Sequence, residues 1–210
     1  LSPDLVRKIG REGIFQGIGD VQTTTAGRLV GPLFRYYKVS GDPLALELAD
    51  KYARSVMKRS FSEEGLLKDL AGNHIHSITS SLSGILEYAV AINDGELSEK
   101  VRKVYEVGLR EFYSSYGWCK ELAWLETDQG EVNQIGDLIQ IQLLLAKAGN
   151  PKYYSQAEIF MRAALLPSQV LESDFIKENP EPKGDFERDM KERVIGGFGF
   201  PTPSSHLQTP

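Results

Sequence analysis

The chain has 210 residues, with 24 Lys and Arg against 29 Asp and Glu, giving a formal charge of -5. No basic stripe is available to offset phosphates, which excludes a nucleic-acid partner. The length is ample for one buried core, no apolar run approaches the roughly 20 residues that span a bilayer, and the single Cys119 excludes an internal disulfide and a multi-cysteine metal site. The chain starts at Leu1 and its first methionine is Met57. This reads as a processed product or excised fragment, so localisation stays open.

Six helices are predicted in order, at 20–39, 43–59, 75–92, 96–115, 131–148 and 151–166. Gly41, Gly95 and Gly149 recur at a constant 54-residue interval. Each sits in a helix-stop, turn, helix-start signal: Gly41-Asp42-Pro43, Asp94-Gly95-Glu96 and Gly149-Asn150-Pro151. A fixed period of this size indicates stacked helix pairs. The first, third and fifth helices are apolar on most sides and rich in small residues, as in Ser77, Ser80, Ser81, Ser83 and Gly84. The second, fourth and sixth are amphipathic, with one stripe in the fourth of Leu97, Val101, Val104, Tyr105 and Leu109. The expected fold class is all-α: three tandem antiparallel αα-hairpins, part of an α/α toroid, with odd-numbered helices inside. Residues 1–170 form this array, and 171–210, rich in Pro and Gly, form an irregular tail with a short turn near 185–193.

Turns within a pair are short, while the connections between pairs, about 60–74 and 116–130, are long. Both long loops lead into inner helices and therefore share one face, where sites commonly form. The same pole collects polar groups: Asp20 and Gln22, then Asn73, His74 and His76, then Glu126, Asp128, Glu131 and Asn133, with Trp118, Glu121 and Trp124 just upstream. Paired carboxylates carry out general acid/base work or attack at a sugar acetal; they are equally favoured in a helix's first turn for its dipole. Asp137 falls inside an apolar helix, where a charge needs a partner. It reads as a catalytic or supporting carboxylate, or as the partner of a buried Arg such as Arg28. His74 and His76 suit substrate binding or proton transfer as well as capping or packing. Without a cysteine partner, no metal and no cofactor is expected. Trp118 and Trp124 offer faces for sugar rings, or for ordinary core burial.

Several runs carry a resemblance. They are Gly27-Arg28-Leu29-Val30-Gly31-Pro32-Leu33, Gly72-Asn73-His74-Ile75-His76-Ser77, Gly117-Trp118 with Glu121, Glu131 with Asp137, and Ala148-Gly149-Asn150-Pro151 with Tyr153-Tyr154. Over roughly 20–170 the chain resembles the (α/α)6-barrel, or six-hairpin, glycosidase-like proteins, in particular relatives of the β-L-arabinofuranosidase-type glycoside hydrolases. The resemblance implies six hairpins with the active site at the inner-helix N-terminal rim, so this chain supplies about half a barrel and its partner is the remainder of its parent chain. The arabinofuranosidase type places a Cys beside its glutamate and builds a cysteine-rich zinc centre. Here Gly130 precedes Glu131, so that chemistry does not carry over.

The expected function is glycosidic bond hydrolysis on an oligosaccharide or polysaccharide. Glu131, Glu126 and His76 are the catalytic candidates; His74, Trp118, Glu121, Trp124, Asp128 and Asp137 are the substrate-binding ones. Two alternatives stay open. A polysaccharide lyase or unsaturated-uronide hydrolase on the same scaffold would use His76 with a Tyr, although the rim loops offer only Lys68 and Lys120 to neutralise a uronate. A non-enzymatic helical-repeat binding module would leave the polar rim unexplained.

Overall fold

The computed structural model describes residues 22–124, 129–198 and 202–203. Asp20, Glu126 and Asp128 lie outside the described residues. Six helices form three antiparallel pairs. Helix α1 (Arg28–Ser40) is entered through a π-helical turn, Gln22–Gly27, and pairs with α2 (Pro43–Ser60). Helix α3 (Ile75–Ala91) pairs with α4 (Gly95–Lys103), which continues through the π-helical Val104–Gly108. Helix α5 (Val132–Lys147) pairs with α6 (Lys152–Phe160), which runs on through Met161–Leu165.

Local chemistry sets the turns. Gly41 takes a left-handed conformation (φ 72°) and returns its N–H to the Tyr37 carbonyl. Asp42 then accepts from the Leu44 N–H, and Pro43 supplies the preset first helical residue. Gly149 repeats the left-handed stop at φ 106°. The middle turn differs from the expected repeat. There Asn93 takes the left-handed position (φ 58°) and Asp94 caps the Leu97 N–H. Gly95 is an ordinary first residue of α4. The fourth helix also stops earlier than the predicted residue 115. Its last π-turn ends at Gly108, which presses on Gly65: a Cβ on Gly108 would lie 2.2 Å from the Gly65 carbonyl oxygen.

The odd helices form the inner layer. Thirteen of the seventeen residues of α3 are buried, which makes it the centre of the array, with α1 and α5 packed on its two sides. The expected stripe of the fourth helix, Leu97 to Leu109, is fully buried. Its charged side is organised around Glu106, which pairs with Arg102, Lys152 and the Tyr153 hydroxyl. One buried Gln142 Nε2 on α5 donates to the Tyr105 hydroxyl at 2.7 Å, tying inner to outer layer.

The two long connections meet at one pole. The Ile75 N–H donates to the Glu121 carbonyl at 2.9 Å, and the Ala123 N–H to the Asn73 carbonyl at 2.7 Å. Beyond Ser168 the chain is mostly irregular, apart from the 3₁₀ turn Asp185–Glu187 and the short helix α7 (Met190–Val194). It doubles back: Val170 and Gly196–Gly197 exchange backbone hydrogen bonds. The strand β2 (Thr202–Pro203) then pairs antiparallel with β1 (Gln129–Gly130), immediately before Glu131. Among the described residues, no helix is long and apolar enough to cross a membrane.

Candidate active site

The N-termini of α3 and α5 lie side by side at this pole, and their first turns present side chains to each other. Glu131 is the residue that caps α5, yet its carboxylate makes no capping bond. It turns instead to α3, where Oε1 lies 3.0 Å from His74 Nε2. The other nitrogen of His74, Nδ1, is 2.8 Å from the Ser77 hydroxyl, one turn along α3. The imidazole is therefore held at both ends.

His76 is 8% exposed and lies deeper. Arg28 of α1 donates to its Nε2 at 2.8 Å. An accepting Nε2 puts the ring proton on Nδ1. Among the described residues that Nδ1 has no hydrogen-bond partner, and it sits 3.9 Å from both Glu131 Oε2 and Asp137 Oδ2. Asp137 accepts a 2.9 Å hydrogen bond from the Thr79 hydroxyl. Three inner helices thus contribute to one cluster: Arg28 from α1, His76 and Thr79 from α3, Asp137 from α5.

Burial and neighbours push these groups apart. Burial raises the Glu131 carboxyl, but the His74 hydrogen bond and the two imidazoles outweigh it and hold the group below the usual carboxylate range. Burial dominates at Asp137, lifting it to about 6 against the opposing Thr79 hydrogen bond and the Arg28 charge. Burial likewise dominates at His76, lowering it to about 4, with Glu131 opposing and Arg28 assisting. At neutral pH the cluster holds an ionised Glu131, a neutral His76 and an Asp137 within reach of both protonation states. Such separation is how acid and base roles are assigned to neighbouring groups.

The structure brings together His74, His76, Glu121, Glu131 and Asp137 of the sequence candidates. One ligand-type atom from each of His74, Glu121 and Glu131 lies within 4.8 Å of the others, the spacing of a cation-binding set. Trp118 is half-buried in the Ser114–Trp118 turn, whose Gly117 lies against Phe160 of α6. Trp124 is 57% exposed on the pole. Asp137 has Thr79 as its hydrogen-bond partner; the guanidinium of Arg28 donates to His76 and acts on Asp137 through its charge alone. Thr79 and Ser77 were indistinguishable in sequence from the small-residue packing of α3. Arg28 carried the signal that Asp137 did, a charge within an apolar helix. Cys119 is buried beside this cluster; burial, then the Asp137 and Glu131 charges, push its thiol well up, which makes it inert.

No family model matches the chain, and no curated protein matches it. Solved structures do. A D-mannose isomerase aligns with a TM-score of 0.55 at 14% identity, over 67% of this chain and 39% of that one. A sugar epimerase from a ruminal bacterium gives 0.55 at 18% identity, over 69% and 43%. The cellobiose 2-epimerase of Bacillus thermoamylovorans gives 0.56 at 10%, over 72% and 46%. The chain therefore spans less than half the length of these structures, and shares with them the fold of part of an α/α toroid.

Proposed function

We propose that the chain belongs to a carbohydrate-active enzyme whose inner-helix pole performs acid/base chemistry on a saccharide. The observation that carries this reading is the Glu131–His76–Asp137 arrangement, two carboxylates of opposed protonation tendency each 3.9 Å from Nδ1 of one neutral imidazole. The saccharide-acting neighbours support the substrate class. In this reading residues 1–170 are the hairpin array and 171–210 a tail that braces the Glu131 loop. The rest of the toroid comes from the parent chain.

The reaction that fits best is proton transfer at a sugar carbon, as in isomerisation. Glycoside hydrolysis between two carboxylates needs room for a sugar and, in inverting enzymes, a water between them. Here Glu131 Oε2 and Asp137 Oδ2 both converge on the Nδ1 edge of His76, 3.9 Å from it, so both carboxylates face one imidazole edge. Aldose–ketose interconversion needs groups on one face only. Asp137, ionised, takes the proton from the carbon beside the carbonyl and returns it to the neighbouring carbon, while the hydroxyl proton passes between the two sugar oxygens. His76 Nδ1–H, 3.9 Å from each carboxylate, is placed to donate to an ionised one when substrate tightens the site. Glu131, held ionised, keeps His74 oriented towards the pole.

Hydrolysis is the second reading, favoured by the split between a raised Asp137 and a depressed Glu131, the pattern of an acid and its partner base. Incubating the whole parent protein with reducing sugars in D2O, and separately with aryl glycosides, distinguishes them. Carbon-bound deuterium in the sugar supports the first reading; released aglycone without deuterium supports the second. Neither product, with any of these substrates, overturns the assignment.

A further inference from the structure

We infer that His74, Glu121 and Glu131 form a divalent-cation site at the inner-helix pole. The inference goes beyond the proposed reaction and does not depend on it. Three observations carry it. The donors converge: Glu121 from the connection before α5, Glu131 at the head of α5 and His74 at the head of α3 place one ligand-type atom each within 4.8 Å of one another. An imidazole with two carboxylates is a donor set suited to zinc, manganese or iron. Bonds of about 2.0–2.2 Å reach across donor separations of up to roughly twice that length, so a small inward movement completes the set.

The second observation is orientation. The Ser77 hydroxyl holds His74 Nδ1 at 2.8 Å and leaves Nε2 aimed at Glu131 Oε1, 3.0 Å away. A hydrogen-bonded second nitrogen of this kind fixes the ring of a ligating histidine. In the metal-free chain Nε2–H donates to Glu131 and the Ser77 hydroxyl donates to Nδ1. With a cation, Nε2 gives its lone pair, the ring proton moves to Nδ1, and Ser77 changes from donor to acceptor. Cation binding is therefore coupled to a change of the His74 tautomer.

The third is charge and partnering. Glu121 makes no side-chain hydrogen bond or ion pair among the described residues, although it faces a second carboxylate. The nearby cation, Arg28, is turned to His76. A divalent ion bound through Oε1 would neutralise the two carboxylates and leave positions open to vicinal oxygens of a sugar.

The test is calorimetric titration of the chelator-treated 210-residue chain with ZnCl2 and, separately, MnCl2. One equivalent is expected to bind for at least one of the two ions. Glu121→Gln is expected to weaken binding at least tenfold while leaving the metal-free thermal melt unchanged, because Glu121 holds nothing else in place. His74→Gln is expected to weaken it similarly. No saturable binding of either ion, or one equivalent bound equally well by Glu121→Gln, overturns the site. The readout needs no turnover, and sugar chemistry is assayed separately in the whole parent protein: cation binding without it preserves this inference and removes the reaction proposed above, and sugar chemistry without cation binding does the reverse.

Discussion

Gly31 of α1 and Gly84 of α3 face each other at the point where the two inner helices cross. A Cβ built on Gly84 would lie 2.8 Å from the Gly31 backbone nitrogen, and one on Gly31 would lie 3.2 Å from the Gly84 Cα. The obstacle in both cases is backbone, which cannot swing aside. This approach brings Arg28 of α1 within reach of His76 on α3, so helix packing and site geometry are one problem.

Gly84→Ala is therefore expected to destabilise the chain by about 1–3 kcal/mol, the usual range for overpacking, even though Ala is the better helix former. Gly136→Ala serves as the control. That glycine is also inside a helix, and a Cβ there meets nothing within 4 Å, so propensity alone should add about 0.5–1 kcal/mol of stability. Chemical denaturation of the two variants checks the pair. Equal effects would remove the close crossing.

Asp137 yields a prediction with a defined pH window. Its carboxyl is raised in the folded chain, from 3.8 to about 6, by burial. The folded state then holds the proton more tightly than the unfolded one, so stability is highest below about 3.8 and is lost as pH rises to about 6. The groups facing it, Thr79, Arg28, His76, Glu131 and Cys119, do not remove this net cost. Asp137→Asn is expected to stabilise the chain at pH 7.5, by on the order of 3 kcal/mol if the full shift is realised, and to change little at pH 3.5. The same variant is expected to lose activity. Thermal melts at the two pH values check the first part; no gain at pH 7.5 would show that Asp137 is well paired as an anion.

Arg28 acts through His76 and is a positioning residue. Replacing it by Met keeps the bulk and removes the donor to Nε2. The expected result is a fall in kcat of about tenfold or more, within the range of general acid/base contributions, with a smaller change in KM. A nitrogen NMR signature should accompany it, because the His76 ring loses the contact that fixes its proton on Nδ1. An unchanged tautomer in Arg28→Met would separate Arg28 from the site.

The tail gives a structural prediction. Thr202–Pro203 pairs with Gln129–Gly130, next to Glu131. Truncation after Val194 removes β2 and the Gly196–Gly197 contacts to Val170. Faster amide hydrogen exchange at Gly130 and Glu131 is expected, with α3 unaffected. Unchanged exchange would make the tail a bystander.

Much of this architecture was legible in the amino-acid sequence, because its signals are local. Gly41-Asp42-Pro43 and Asp94 announce turns whose capping bonds involve near neighbours. The apolar faces of α3 and α5 announce burial. The stripe from Leu97 to Leu109 marks the outer layer. The middle turn misled because Asn93 can take the left-handed conformation as Gly does, so a periodic Gly95 looked equivalent when it was not. The early end of the fourth helix depends on Gly65, forty-odd residues away, which no window of local sequence reveals. The site was legible as a pole but not as a mechanism. Polar residues at the inner-helix entrances were visible; which of them touch was not. Asp137 and Thr79 meet only through the packing of α5 on α3, and the same packing brings two carboxylates to one edge of His76. Carboxylates that converge on one imidazole fit proton transfer better than carboxylates that flank a sugar.

The most direct test of that chemistry is proton NMR of a reducing sugar incubated in D2O with the whole wild-type parent protein and with its Asp137→Asn and Glu131→Gln variants. The account predicts time-dependent replacement of the hydrogen on the carbon beside the carbonyl by the wild type, and loss of at least a hundredfold in rate in each variant. Exchange that persists at wild-type rate in Asp137→Asn would contradict it.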